Sequence, residues 1–394
     1  MTPSQDFPAR AEASESAMPL VSVVMPCLNE AEGVGECVRK AKRAIAQLNV
    51  PGEVVVVDNG STDGSASIAA EAGARVVHEP RRGYGSAYLR GFAEARGKYL
   101  VMGDADGSYD FDDIPRFLGP LTAGRADLVM GTRLKGEILP EAMPWSHRWI
   151  GNPILSGMLK LLFSTSVSDS HCGMRSFTRE AYESMGLRTS GMEFASEMVV
   201  GALRSNLRIE EVPIVYHPRI GESKLSGLRD AWRHVRFMML YSPSYLFQLP
   251  GLVLMGIGAL LIVLLAGGPR EFLGRRWDYH PLLFGAAAFM AGYNLVLFDI
   301  FAKTFSLGAG FAKPRQWLRG LTESFTLERG IILGLVVFVL GLGLEAKIVY
   351  DWVRSGFGTL MAVRGVVIGM VALVVGLQTI FASFLIGLLS IKRV

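Results

Sequence analysis

KYLVMGDADGSYD, residues Lys98 to Asp110, decides the fold: a short apolar run stops at Gly103 and delivers two carboxylates, Asp104 and Asp106, one residue apart. An apolar strand of this kind suits a parallel sheet covered on both faces, and ligands gather in the loops at the carboxyl ends of such strands. Two carboxylates at a strand end can converge on one hard divalent cation, leaving its other positions to water or phosphate oxygens. An Asp-x-Asp alone is weak, because paired acids in a loop are usually just solvated. Its neighbours decide the matter.

Two earlier runs have the same form. VSVVMPCLNE, Val21 to Glu30, ends a β-branched strand with Pro26, Leu28 and Glu30. VVVVDNGSTDGS, Val54 to Ser65, ends a second with Asp58, Asn59 and Asp63. A helix with apolar periodicity lies between them, and further strands are predicted at Ala74 to His78, Lys98 to Met102 and Asp127 to Met130. Helices are predicted at about Ser65 to Ala72 and Gly85 to Arg96. The reading is an open α/β sheet whose strand ends carry acids and amides able to hydrogen-bond a base and a ribose. No GxGxxG follows the first strand, so an oxidoreductase reading loses its main support.

Beyond about Tyr241 the chain changes character. Four apolar runs, Leu249 to Ala266, Pro281 to Ala302, Gly330 to Leu344 extended toward Tyr350, and Val366 to Leu389, each approach the roughly 20 residues needed to cross hydrocarbon. The mean hydropathy of +0.32 reflects this membrane base beneath an enzyme-sized head. An even number of spans returns both ends to one side. That side carries Arg229, Arg233, Arg236, Lys303, Lys313, Arg315, Arg319, Arg329, Lys392 and Arg393, against Arg270, Arg275, Arg276, Arg354 and Arg364 on the other, so the head is expected in the cytosol. Leu225 to Leu240 mixes arginines with Trp232, Phe237 and Met238 like an amphipathic helix lying in a headgroup layer. The domain expectation is a loose tail over 1–18, a catalytic head over 19–224, a juxtamembrane helix over 225–244 and a membrane domain over 245–394. The tail has no apolar core of the kind a signal peptide carries.

The net charge of +4 is mild and its basic residues form no aromatic-interleaved stripe, which argues against nucleic acid. Three cysteines with no CxxC pair fit a reducing compartment better than a disulfide framework. His171 and Cys172 adjoin Asp169, but no second Cys or His stands at zinc-ligand spacing.

The ordered set PCLNE, VVDNGSTDGS, GDADGS, VMGTR, SDSHCGMRSF and PRIGESKL resembles glycosyltransferase family 2 from about Val21 to Lys224. Within that family it is similar to the dolichyl-phosphate mannose or glucose synthases and bacterial polyprenyl-phosphate glycosyltransferases. The resemblance implies a Rossmann-like GT-A head followed by four transmembrane helices. It further implies inverting transfer of a hexose from a UDP- or GDP-linked donor to a polyprenyl or dolichyl phosphate, with Mg2+ or Mn2+.

By the same resemblance, Pro26, Leu28, Glu30, Val57, Asp58 and Asn59 hold the nucleoside, and Asp104, Ala105 and Asp106 hold the metal and diphosphate. The family more often has two Asp where this chain has Asp58-Asn59, which puts the base preference in doubt. Arg133 and Arg148 match positions that face phosphate groups, a role suited to a guanidinium fork. Asp169 matches the favoured catalytic residue, orienting or deprotonating the lipid phosphate, with Glu193 and Glu197 as the alternative acids. Arg219 and Lys224 match the cations of a loop closing over the donor phosphates, with Gly221 as its bend.

Two rival readings have their own signatures. A processive polysaccharide synthase would carry Gln-x-x-Arg-Trp after its catalytic acid, whereas Arg148-Trp149 precedes Asp169 and has Trp145 at the Gln position. A sugar-lipid translocator would use intramembrane charge, and Asp299, Glu345 and Lys347 lie within or beside the spans. The plainer role of the spans is to anchor the head and bring copies together, and their many Gly and Ala residues suit close helix contacts.

Overall fold

The computed structural model describes residues 18–163, 165–221, 227–242, 244–308 and 327–390. Lys224, most of the N-terminal tail and the basic residues 313, 315 and 319 lie outside them. The chain divides into two compact units, one ending at Leu240 and one beginning at Tyr241.

The first unit is built on a seven-stranded sheet. Its strands are β1 (Val21–Cys27), β2 (Gly52–Asp58), β3 (Arg75–His78), β4 (Tyr99–Met102), β5 (Leu128–Ile138), β6 (Arg175–Thr178) and β7 (Ile209–Tyr216), in the spatial order β3-β2-β1-β4-β6-β5-β7. β1 to β4 are parallel neighbours, as the β-branched runs predict. β6 departs from that expectation by running antiparallel to both β4 and β5. It is hard to see in sequence because it is four residues long and begins with Arg175 and Ser176, both fully buried.

Helices α1 (Val34–Gln47), α2 (Ser65–Glu71), α3 (Tyr84–Glu94), α4 (Ile114–Thr122), α5 (Asn152–Phe163), α6 (Arg179–Met185), α7 (Phe194–Arg204) and α8 (Gly227–Tyr241) connect and follow these strands. Alternation along β1 sorts its side chains. Val21, Val23, Met25 and Cys27 join one core with Val38, Ala41 and Ile45 of α1 and Phe117 and Leu118 of α4. Val24 and Val57 instead face α3. There Phe92 makes edge contacts with Phe177 and Tyr182 at 5.2 Å and stacks on Tyr88 at 5.5 Å. Such aromatic contacts add to the burial of the rings themselves.

The second unit contains α9 (Leu249–Ala266), α10 (Tyr279–Gly308), α11 (Leu327–Arg354) and α12 (Val363–Leu389), the four spans expected, each within a segment long and apolar enough to cross a membrane. A hairpin of β8 (Arg270–Phe272) and β9 (Arg275–Trp277) joins α9 to α10. Backbones approach closely at Gly258 beside Gly285 and at Gly334 beside Gly376. Tyr293 and Thr379 share a hydrogen bond of 2.6 Å between α10 and α12. Asp299, which the translocator reading would use, is 2% exposed and paired with Lys303 at 2.6 Å, and Lys303 also donates to Gln248 Oε1 at 3.0 Å. This pair therefore carries no net charge into the apolar interior.

Helix α3 lies so close to the sheet that a Cβ on Gly91 would stand 2.3 Å from Val24 Cγ1 and 2.8 Å from Val57 Cγ2. Both neighbours are β-branched and cannot swing aside. Alanine is the better helix former by about 1 kcal/mol, yet overpacking a core costs roughly 1–3 kcal/mol. Gly91→Ala is therefore expected to lower the thermal midpoint of the head, with Val24→Ala in the same chain recovering part of the loss. A midpoint at or above wild type would show that α3 can lift away freely.

Candidate functional site

The site lies along the carboxyl ends of β1, β2 and β4. At β4 the chain turns through Gly103 to Asp104, whose Oδ1 accepts hydrogen bonds from Tyr84 at 3.0 Å and Tyr88 at 3.3 Å. Both tyrosines come from the first turns of α3, and neither was singled out in sequence. The signal available was their spacing, which places two hydroxyls on one helix face. Asp104 keeps a partial opening to solvent, but protein crowds its carboxyl. That burial, with the charge of Asp106 second, pushes it up to about 7. Asp106 is turned the other way. Its Oδ1 accepts from the Ser108 amide at 3.0 Å and the Ser108 hydroxyl at 2.6 Å, while Oδ2 lies 3.5 Å from Arg219 Nη1.

Arg219 bridges two strand ends, because its Nη2 also donates to Glu30 Oε1 at 2.5 Å. Its Nε is buried and has no hydrogen-bond partner among the described residues. The segment carrying it rests on the acidic turn: His217 donates its amide to Ser108 O at 3.1 Å and Ile220 donates to Asp106 O at 2.8 Å. Gly221, the expected bend, has φ +84°, which glycine adopts without strain.

A carboxylate held up by a neighbouring carboxylate suits a hard divalent cation. The space beside them is kept by Gly173, where a Cβ would stand 2.9 Å from Asp104 Oδ2 and 3.1 Å from Tyr109 Oη. Among the described residues no group of three or more His, Cys, Asp or Glu is placed to hold a metal. Two carboxylates would leave positions on such a cation for other oxygens.

The nucleoside positions divide. The loops after β1 and β2 are stitched together: the Thr62 amide donates to Asn29 Oδ1 at 2.8 Å, the Glu30 amide to Ser65 Oγ at 2.9 Å, and the Ala31 amide to Asp63 Oδ2 at 3.0 Å. Asp58 is nearly buried. Burial opposes its charge, but hydrogen bonds from Ser61 and His78 outweigh it and hold the carboxyl below its ordinary range. Asn59 departs from its expected role as a base-edge reader. Its Nδ2 donates to Glu79 O and Arg81 O, and its Oδ1 accepts from the Gly83 amide, all at 2.8–2.9 Å, so the whole amide braces the loop ahead of α3. Val57 is fully buried with its side chain under α3, so it turns no side chain toward the strand ends. Pro26 and Leu28 are partly exposed at the end of β1, and Ala105 is buried between the two acids.

Asp169 is fully buried. Both of its oxygens are taken by Arg133, with Nε to Oδ2 at 2.7 Å, Nη2 to Oδ1 at 2.8 Å and the Arg133 amide to Oδ2 at 3.1 Å. Burial opposes the charge on Asp169, but Arg133 outweighs it and holds the carboxyl below its ordinary range. This is a structural fork rather than an open base. The Arg133 guanidinium also lies 5.2 Å from the centre of the Tyr216 ring. Arg175, which sequence reading passed over, is fully buried and donates to the carbonyls of Cys172, Ala195 and Ser170 at 2.8–2.9 Å, fixing the segment around Asp169.

The other candidates lie elsewhere. Glu197 accepts from the amides of Arg188 and Thr189 and from the Thr189 hydroxyl, so it is a loop anchor. Glu193 keeps one buried oxygen without a partner among the described residues. Arg148 is exposed and lies over the Trp149 ring at 5.4 Å.

Comparison with known proteins matches this architecture in both units. The model of glycosyl transferase family 2 covers residues 22–186, and that of the glycosyltransferase family 2 C-terminal transmembrane region covers residues 300–390. The low-salt glycan biosynthesis hexosyltransferase Agl6 of Haloferax volcanii is 44% identical over 375 residues, spanning 95% of this chain and 90% of that protein. From the same organism, the glycosyltransferase AglJ is 29% identical over 71% of this chain and 91% of its own length. A dolichyl-phosphate hexose transferase, also from that organism, is 32% identical over 52% and 86%. Among solved structures, glucosyl-3-phosphoglycerate synthase from Mycobacterium tuberculosis is 22% identical with a TM-score of 0.45, covering 56% of this chain and 79% of that one. The sheet, the acidic turn and the four apolar helices thus define a membrane-bound glycosyltransferase. The chain belongs to glycosyltransferase family 2.

Two outcomes follow from the two buried acids. The folded protein holds the Asp104 proton up to about 7 whereas the unfolded chain releases it in the ordinary carboxylate range, so the folded state binds more protons between that range and about 7. Stability from this group therefore falls as pH rises through that window. In thermal unfolding of the chelated full chain, Mg2+ or Mn2+ should raise the midpoint more at about pH 8 than at about pH 6, because cation and proton compete for the site. An equal shift at both would place the cation elsewhere. Asp169→Asn should cost roughly 3–5 kcal/mol by stranding the buried Arg133 charge, with Arg133→Met in the same chain restoring much of it. A stable Asp169→Asn with wild-type unfolding would show that the fork holds nothing together.

Proposed function

We propose that this glycosyltransferase moves a hexose from a UDP- or GDP-linked donor onto a polyprenyl-phosphate lipid, with inversion, at the cytosolic face of the membrane. The observation that carries the reading is the pairing of Asp104 with Asp106 beside Arg219 and Glu30, at the end of a sheet whose neighbouring loops offer Asp58 and the tip of β1. An acidic pair with an adjoining guanidinium suits a donor whose leaving group is a diphosphate.

Asp104 and Asp106 would hold a divalent cation, Mg2+ or Mn2+, whose chemistry there is to offset the negative charge of the departing nucleoside diphosphate. Arg219 contributes a second positive group, and its Nε, without a partner among the described residues, is a donor ready for a phosphate oxygen. Lys224, on the same loop, is the other candidate cation. Glu30, Asp58 and the loops around them bind the nucleoside. A lipid phosphate oxygen attacks the anomeric carbon as the bond to the diphosphate breaks. Because that phosphate is already ionised, no strong base is needed. Asp169 is then a positioning residue that works through Arg133.

The lipid side of the reading rests on the membrane helices and on the surface of the head. Trp145 and Trp149 are 68% and 62% exposed, and Ile150, Ile154 and Leu161 continue an uncovered apolar strip on and ahead of α5. Arg148 and Lys160 flank it. Aromatic and basic residues together suit a headgroup layer with anionic lipids. The basic bias along the spans supports a head on the cytosolic side. One homologue bears the name dolichyl-phosphate hexose transferase, which supports a lipid-phosphate acceptor.

The test is direct. Purified full-length protein is incubated with polyprenyl phosphate, Mg2+ or Mn2+, and a panel of labelled UDP- and GDP-sugars, and label is sought in the organic phase. One donor should give a chelator-sensitive glycolipid of inverted configuration. Asp106→Asn should reduce it by roughly a hundredfold, the scale of losing one preorganised electrostatic stabiliser. Labelled lipid at the wild-type rate from Asp106→Asn, or no lipid product from any donor, would overturn the reading.

A further inference from the structure

Behind Asp169 lies a polar cluster that the reaction scheme leaves unused. His171 Nδ1 is 2.9 Å from Ser170 Oγ, and Ser170 Oγ is 3.1 Å from Ser156 Oγ of α5. On the other side of the ring, His171 Nε2 is 3.4 Å from Ser196 Oγ of α7, which is itself 2.9 Å from His234 Nδ1 of α8. The two imidazoles meet edge to face with centroids 4.4 Å apart. Ser170 and Ser196 are fully buried, and Ser156 and His234 nearly so.

Proton counting gives the cluster an order. A serine hydroxyl has one proton, so Ser196 can donate to only one of its two imidazole neighbours, and the other ring must donate to it. In a neutral ring the two nitrogens take opposite roles, so the choice at Ser196 passes through His171 to Ser170 and Ser156. Burial, with the imidazole of His234 second, holds His171 well below its ordinary range, so the ring is neutral at physiological pH. The result is a one-way hydrogen-bonded chain that crosses four elements.

We propose that Ser196, with His171 and His234 on its two sides, is a positioning latch that fixes α8 to the segment carrying Asp169, and thereby sets the place of the lipid phosphate. α8 is the last helix before the first apolar span in the sequence, and the 168–173 segment is joined to Arg133 through Asp169. A lipid phosphate presented from the membrane side would need both held in one arrangement. The functional half of this inference rests on the acceptor proposed above. The latch itself does not, and can be read without turnover.

The variants are Ser196→Ala, which removes the junction and keeps both rings, His234→Phe, which keeps a ring without nitrogen, and His234→Asn, whose amide can reach the Nδ1 position. All are made in the full-length protein. Amide hydrogen exchange across residues 231–241 should quicken in Ser196→Ala and His234→Phe and stay near wild type in His234→Asn. With polyprenyl phosphate, Ser196→Ala should raise the acceptor KM by roughly three- to tenfold, the worth of one hydrogen bond. Its kcat at saturating lipid and its nucleotide affinity should hold. Unchanged exchange in Ser196→Ala and His234→Phe overturns the latch, even if wild type proves inactive on lipid. Quickened exchange with an unmoved acceptor KM, or with donor affinity falling in step, overturns its role in placing the acceptor. Failure of the wild type to glycosylate any lipid is the separate failure of the proposed function.

Discussion

The rest of the head is arranged around one unfavourable fact: two carboxylates, Asp104 and Asp106, are held together where water is scarce. Left alone, such a pair keeps a proton, and Asp104 does so up to about 7. Everything near it either supplies hydrogen bonds or brings positive charge. Tyr84 and Tyr88 bond Asp104 from α3, the Ser108 amide and hydroxyl bond Asp106, and Arg219 reaches in from the loop after β7. Such an arrangement is costly without a cation, which is why the proposed function gives the pair one, to act on a bound diphosphate.

A second buried charge pair works on the opposite principle. Arg133 and Asp169 satisfy each other fully, in a fork with both bonds under 3 Å. A closed pair of this kind contributes geometry more than reactivity, because its carboxylate has no lone pair turned outward and its proton affinity is low. In the proposed reaction the acids beside Arg219 would serve the donor and the paired acid the acceptor. That division matches the chemistry of the proposed reaction, in which the leaving group gains negative charge and the nucleophile arrives already carrying it.

How far the sequence could be read depended on the kind of signal. The β-branched runs of β1 and β2 and the apolar end of β4 could be read directly, because a strand buried on both faces has no polar alternation to confuse it. The four spans were equally plain. β6 escaped because a buried arginine looks like a surface residue until its three carbonyl partners are known, and those partners lie in the 170–172 segment and the first turn of α7, which no local pattern connects to it. Side-chain direction was the other gap. Val57, Asp58 and Asn59 all stand at one strand end, but only Asp58 keeps its acid near the cleft; Val57 goes under α3 and Asn59 braces the next loop. Position along a strand says which end a residue occupies, whereas its direction depends on the pleat and on which neighbours compete for its hydrogen bonds.

The same limit explains Asp169. Its motif put it beside the acceptor, and it does lie in the segment named, yet the group with which it interacts is Arg133, 36 residues earlier in the chain. The bond is made where β5 loses its register with β7, between Thr132 and Glu137, the stretch that contains Arg133. An acid whose both oxygens are occupied cannot also take a proton from substrate without giving up that pair, and giving it up would strand a charge in the core. A phosphate nucleophile removes the conflict, since it asks the protein for positive charge and position rather than for a base. The fork, the tyrosine ring packed against Arg133 and the donor-side carboxylates together make sense for an acceptor that is already an anion, and much less for a neutral hydroxyl.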